Sequence, residues 1–138
     1  FENGARGTFT TSELAAGRKC DIEIEVYGSE SSLAWRHERS SELWLGHRDK
    51  ANELFFESPL LQHEETRRFA RLPSGHPTGY HDAIYNLFAD YYSFLDSKNS
   101  ESTIKLDFPD FEAGHRGMLI LEAALASKEK GAWVAVDG

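Results

Sequence analysis

The sequence predicts an α+β domain: an open, mostly antiparallel sheet with helices packed on one face and the other face free for oligomerisation. Three observations point there. Strand-like segments fill the first half, short polar turns join them, and the second half changes to helical spacing. Phe1-Glu2-Asn3-Gly4 opens the chain with an Asn-Gly hairpin signal, and Ala5 to Leu14, rich in Thr and Phe, reads as the strand that follows. Ala15 to Lys19 is a connection. Asp21 to Tyr27 alternates, with Ile22, Ile24 and Val26 on one side and Glu23, Glu25 and Tyr27 on the other. Gly28 to Ser31 is a turn, Ser32 to His37 a third strand, Glu38 to Ser41 a turn, Glu42 to His47 a fourth strand and Leu54 to Phe56 a short fifth. Turns this short join antiparallel neighbours, because parallel ones need crossovers of about a dozen residues.

Glu64 to Ala70 reads as a helical turn. Tyr80, Ile84, Leu87, Phe88, Tyr91 and Leu95 follow helical spacing, so a helix opens at Thr78 or Gly79 and ends before Asp96-Ser97-Lys98-Asn99-Ser100. A second helix follows Pro109, with Asp110 as N-cap, Met118, Leu119, Leu121 and Leu125 on it, and Lys128, Lys130 and Gly131 at its end. Trp133 to Val136 reads as a last strand. Alternation places Tyr27, Trp44 and Phe55 opposite Ile22, Ile24 and Val26. Helices on one face then leave an aromatic surface on the other, which predicts a homo-oligomer through the open sheet.

The chain has 138 residues, 40% of them hydrophobic, a net charge of −8 and a single cysteine. One domain spanning 1–138 accommodates that length, and no disulfide framework is needed to hold it. An acidic balance opposes binding to nucleic acid. No apolar run approaches the roughly 20 residues of a membrane span, and no secretory leader is visible. Cys20 alone fits a reducing compartment, so a cytoplasmic location is the working expectation.

Dinucleotide fingerprints and the phosphate-cradling P-loop are missing, which leaves no cofactor site in this chain by that route. Six histidines, at 37, 47, 63, 76, 81 and 115, lack the paired spacing of a helical metal site, and no metal is expected. Cys20 has no identifiable base beside it and no nucleophile-elbow motif occurs, so a hydrolase has no specific support. Arg36, His37, His47 and Arg48 read as solvated hairpin tips. Ser74 to Asp82 stands out: two glycines and a proline shape a loop that runs into a helix start. It can offer His76 and Tyr80, with Asp82 behind them, to a polar ligand such as a sugar hydroxyl. In the plainer alternative Pro77 and Gly79 start the helix, Asp82 answers its dipole and Tyr80 packs in the core.

Gly4-Ala5-Arg6-Gly7-Thr8-Phe9-Thr10-Thr11-Ser12, Ile24-Glu25-Val26-Tyr27-Gly28-Ser29, Ser32-Leu33-Ala34-Trp35, Glu42 to Arg48, the Gly75 to Asp82 loop and Gly114-His115-Arg116 occur in an order that resembles the C-terminal domain of the Gfo/Idh/MocA oxidoreductases, the relatives of glucose–fructose oxidoreductase and inositol dehydrogenase. The resemblance implies an NAD(P)-dependent sugar or polyol dehydrogenase whose cofactor sits on a separate Rossmann domain. This chain would then be the substrate-side and assembly domain, inactive alone. Catalysis in such enzymes uses a Lys from a Glu-Lys-Pro stretch and an Asp and His on a preceding helix. None of these segments occurs in the 138 residues, so no catalytic residue is assigned. With its truncated hairpin, the chain reads as the C-terminal piece of a longer protein, in which the Thr8 to Leu14 strand lacks a neighbour. A non-catalytic module that dimerises or binds carbohydrate is the alternative.

Overall fold

The computed structural model describes residues 1, 3–97 and 108–136. The architecture is α+β, an open four-stranded antiparallel sheet and, among the described residues, three α-helices. The chain divides into two compact units, Phe1–Gly79 and Tyr80–Gly138.

The sheet lies in the first unit. Strands β1 (Glu23–Tyr27), β2 (Ser31–Arg36), β3 (Glu42–His47) and β4 (Glu53–Phe56) lie side by side in sequence order. A tight turn closed by Gly28 N–H to Ser31 C=O at 2.9 Å joins β1 to β2. A 3₁₀ turn at His37–Arg39 joins β2 to β3, and Trp35 Nε1 donates to Ser40 C=O at 2.9 Å across it. Between β3 and β4, Asn52 Oδ1 accepts from the His47 amide at 3.0 Å.

Register decides which side chains share a face, because directly opposed residues point the same way. Ile24 faces Trp35, Trp35 faces Leu43 and Leu43 faces Phe55; Val26, Leu33 and Leu45 extend this apolar side. On the other side Glu25, Ala34, Trp44 and Leu54 form a row, flanked by Glu23 against Arg36, Tyr27 against Ser32 and Glu42 against Phe56. Trp44 and Tyr27 therefore lie opposite Ile24 and Val26, as alternation predicts. Phe55 does not: pairing of Glu53 with Leu45 sets the parity of β4, so Leu54 and Phe56 accompany Trp44 instead. Gly46 is required where it stands, since a Cβ there would come within 2.4 Å of the Trp44 ring and 2.6 Å of Ser32 Oγ. Among the described residues no hydrophobic side chain is fully buried; on the two central strands Leu33, Trp35, Leu43 and Leu45 are half-buried.

Two expected strands are not formed. Ala5 to Leu14 has no strand structure; just before it the Gly4 amide donates to Phe1 C=O at 2.9 Å. Ser12 Oγ instead accepts from the Leu14 amide at 3.2 Å, a local bond of the kind by which Ser and Thr compete with a ladder. With no strand there, the expected unpaired edge at Thr8 to Leu14 disappears as well. Trp133 to Val136 likewise forms no ladder.

Helix α1 (Glu64–Arg67) is a single turn. In the second unit, α2 (Tyr80–Ser97) carries the apolar stripe read from the sequence and runs past Asp96; residues 98–100 of the expected stop lie outside the described residues. Phe108 meets the last turns of α2 edge-on, its ring 5.7 Å from both Tyr91 and Phe94. Helix α3 (Phe111–Lys130) starts at Asp110, whose carboxylate accepts from the Ala113 amide at 2.8 Å. It ends at Gly131 in the left-handed region, whose N–H returns to Ser127 C=O, with Lys128 and Lys130 in the last turn. Among the described residues, no helix is long and apolar enough to cross a membrane.

Asp110→Ala removes the α3 cap and should lower stability to urea, followed by circular dichroism, by about 1 kcal/mol. Gly46→Ala forces the Trp44 ring aside. Its expected cost is about 1–3 kcal/mol, with a change in tryptophan fluorescence that Gly117→Ala, where a Cβ meets nothing, does not produce.

Candidate functional site

The loop from Pro73 to Gly79 is built by its own residue types. The His76 amide donates to Pro73 C=O at 3.2 Å, closing a turn whose third residue, Gly75, has φ of 83°, a conformation open to glycine and strained for other residues. The His76 ring repeats the contact, Nδ1 lying 3.2 Å from the same Pro73 oxygen. A carbonyl only accepts, so Nδ1 carries the proton and Nε2 of the neutral ring is left as the acceptor. His76 is exposed, and its Nε2 suits a ligand hydroxyl.

Both ends of this loop are tied to residues that follow β4. Ser74 Oγ lies 2.7 Å from Ser58 Oγ. Four residues later, Thr78 Oγ1 donates to Glu57 Oε2 at 2.5 Å, while Ser40 Oγ donates to Thr78 C=O. Glu57 is itself fixed, its amide donating to Ser41 C=O at 2.8 Å as the ladder runs one residue past β4. Ser40, Glu57 and Ser58 were not singled out by the sequence, and Thr78 only as part of the loop and a start of the helix. Their partners lie 16 to 38 positions apart and only the sheet brings them together.

Of the three residues read as ligand contacts, His76 is the tip of this loop in the first unit. Tyr80 and Asp82 occupy the first turn of α2 in the second. The Tyr80 ring is exposed and meets His81 edge-on at 6.0 Å. Asp82 is half-buried, with its carboxylate placed where the helix dipole favours a negative charge.

The residues read as hairpin tips all have partners. Arg36 Nε donates to Glu23 Oε1 at 2.6 Å across β1 and β2, and Glu23 raises the guanidinium pKa further. His37 Nδ1 sits 2.6 Å from Cys20 C=O, and Arg48 Nε donates to Ser29 C=O at 2.9 Å. His47 Nε2 lies 2.8 Å from Glu53 Oε1, the atom that also takes Lys50 Nζ at 2.7 Å. Lys50 holds the Glu53 carboxyl below its ordinary range, and His47 adds to this. On β1 the Tyr27 hydroxyl donates to Glu25 at 2.6 Å, which raises the phenol above its usual value. These contacts tie strands and turns together; the rings of His37 and His76 both have an acceptor nitrogen defined by a backbone bond, and of the two His76 is the more exposed.

Among the described residues no three His, Cys, Asp or Glu side chains gather as a metal site. The described residues do not form a cradle for a nicotinamide dinucleotide either. Its pyrophosphate needs a glycine-rich turn from a strand into a helix, whereas the four described strands are antiparallel and joined by hairpins. β4 reaches α1 through Glu57 to His63, which contain no glycine.

No protein-family model matches the chain. It is similar to oxidoreductases. An uncharacterized oxidoreductase, YfiI, of Bacillus subtilis (strain 168) is 28% identical over 97% of this chain and 35% of its own length. A solved oxidoreductase from Pseudomonas syringae superposes with a TM-score of 0.82 at 25% identity, over 91% of this chain and 35% of that one. An inositol dehydrogenase homolog from Azotobacter vinelandii, solved with NADH and myo-inositol, superposes with a TM-score of 0.73 at 25% identity, over 80% of this chain and 30% of that one. The chain thus spans about a third of the length of the oxidoreductases it matches.

The Glu53 contact predicts a pH dependence with a definite sign. A carboxyl depressed in the folded state contributes stability that is fully present above its ordinary value and is lost as the pH falls through the lower folded value. In an NMR titration Lys50→Met should move the Glu53 midpoint up towards that of an isolated glutamate.

Proposed function

We propose that this chain is the substrate-side and assembly domain of an NAD(P)-dependent sugar or polyol dehydrogenase of the Gfo/Idh/MocA type. One observation carries the reading: nearly the whole chain aligns with a third of several oxidoreductases, among them an inositol dehydrogenase homolog solved with NADH and myo-inositol. The absence of a dinucleotide cradle among the described residues is consistent with a cofactor held by another part of the parent protein. His76, with an acceptor nitrogen for a polyol hydroxyl, Tyr80, with a phenol that both donates and accepts, and Asp82 are the residues proposed to serve substrate. The chain alone is inactive, since it supplies neither a cofactor to accept hydride nor an assigned acid or base.

The assembly role rests on the sheet. Tyr27, Trp44, Leu54 and Phe56 expose apolar area on the side opposite Ile24 and Val26. A second copy of the chain, laid on that face in the cytoplasm, would cover it. A carbohydrate-binding or dimerising module without catalysis shares the face and the loop and differs in never acting with a nicotinamide.

Nicotinamide fluorescence separates the two. The isolated chain should leave NADH emission unchanged, whereas the parent protein containing it should oxidise a polyol with NAD(P). There His76→Ala should raise KM for the polyol about tenfold, the worth of one lost hydrogen bond of ordinary strength, with NADH affinity unaltered. Turnover by the 138 residues unaided would overturn the reading. Light scattering after size exclusion should give a dimer or larger species that Trp44→Glu converts to monomer.

A further inference from the structure

Two consecutive residues hold both ends of the loop that carries His76. Glu57 takes the Thr78 hydroxyl and Ser58 meets Ser74, and both follow directly on β4, where the Glu57 amide is still bonded to Ser41. Between the two ties the chain has little freedom: Gly75 turns it, Pro77 has a fixed φ, and the residue before a proline is confined to extended conformations. His76 is that residue. Thr78 is held a second time through its carbonyl by Ser40, whose own carbonyl takes the Trp35 indole.

We infer that Glu57 and Thr78 are positioning residues for His76: their bond locks the end of the Pro73–Gly79 loop to the sheet, and with it the orientation of the His76 ring and the acceptor nitrogen it presents. A carboxylate is a stronger anchor for the hydroxyl than a neutral acceptor would be. The functional consequence rests on the reading of His76 as a polyol contact; the positioning itself does not.

The test uses the 138-residue chain labelled with nitrogen-15 at histidine. In the unsubstituted chain the His76 ring should show the Nδ1-protonated tautomer, set by the bond to Pro73. Thr78→Val should speed amide exchange across residues 74–79 about tenfold and shift the ring towards the mixture of tautomers seen in an unconstrained histidine. Thr78→Ser, which keeps the hydroxyl, should restore both readouts. Ser58→Ala loosens the other end and should speed exchange at Ser74 and Gly75, so the inference stays open to test if Thr78→Val fails to fold. Unchanged exchange and unchanged ring nitrogen shifts in the folded variants would overturn it. Both readouts are taken without polyol. Failure of the polyol reading shows separately, as a His76 ring signal in the unsubstituted chain that myo-inositol does not move.

Discussion

A sheet that is apolar on both sides needs two coverings. This constraint governs the molecule. Trp35, Leu43 and Phe55 line one side, and Trp44, Leu54 and Phe56 the other, because neighbouring strands are in register and alternate residues face opposite ways. Each square ångström of apolar area removed from water is worth about 25 cal/mol, so leaving either side wet forgoes a large part of the available stabilisation. With no hydrophobic side chain fully buried among the described residues, the assembly role proposed for the chain follows from this imbalance more than from any single contact.

Most elements were legible because their patterns are local. Ile22, Ile24 and Val26 against Glu23, Glu25 and Tyr27 declare a strand, Asp110 and Gly131 bracket a helix, and the Glu42–His47 strand has the bounds the sequence suggests. What local pattern does not reveal is pairing. Ala5 to Leu14 and Trp133 to Val136 have the composition of strands, yet a strand exists only against a neighbour, and neither has one here. Phe55 failed for the same reason on a smaller scale: its face depends on the register of β4 with β3, which a one-residue shift reverses.

The candidate site shows the same division. Two glycines and a proline marked the Ser74 to Asp82 loop in the sequence, since their conformational limits are properties of the residues themselves. Its fastenings were not legible. Glu57, Ser58 and Ser40 are ordinary polar residues whose meaning appears only when the β3–β4 pairing carries them to Thr78 and Ser74. The resemblance to oxidoreductases reached the right class of relatives, because it used the order of several motifs and no single one.

The outer strand β1 places Glu23 and Glu25 on alternate positions of one side. In an antiparallel encounter between two such edges centred on Glu25, that carboxylate meets its own copy, and like charges in opposed positions repel. Runaway growth of a continuous ribbon from molecule to molecule is thereby discouraged at this border. The association proposed through the broad face would instead close on itself and stop.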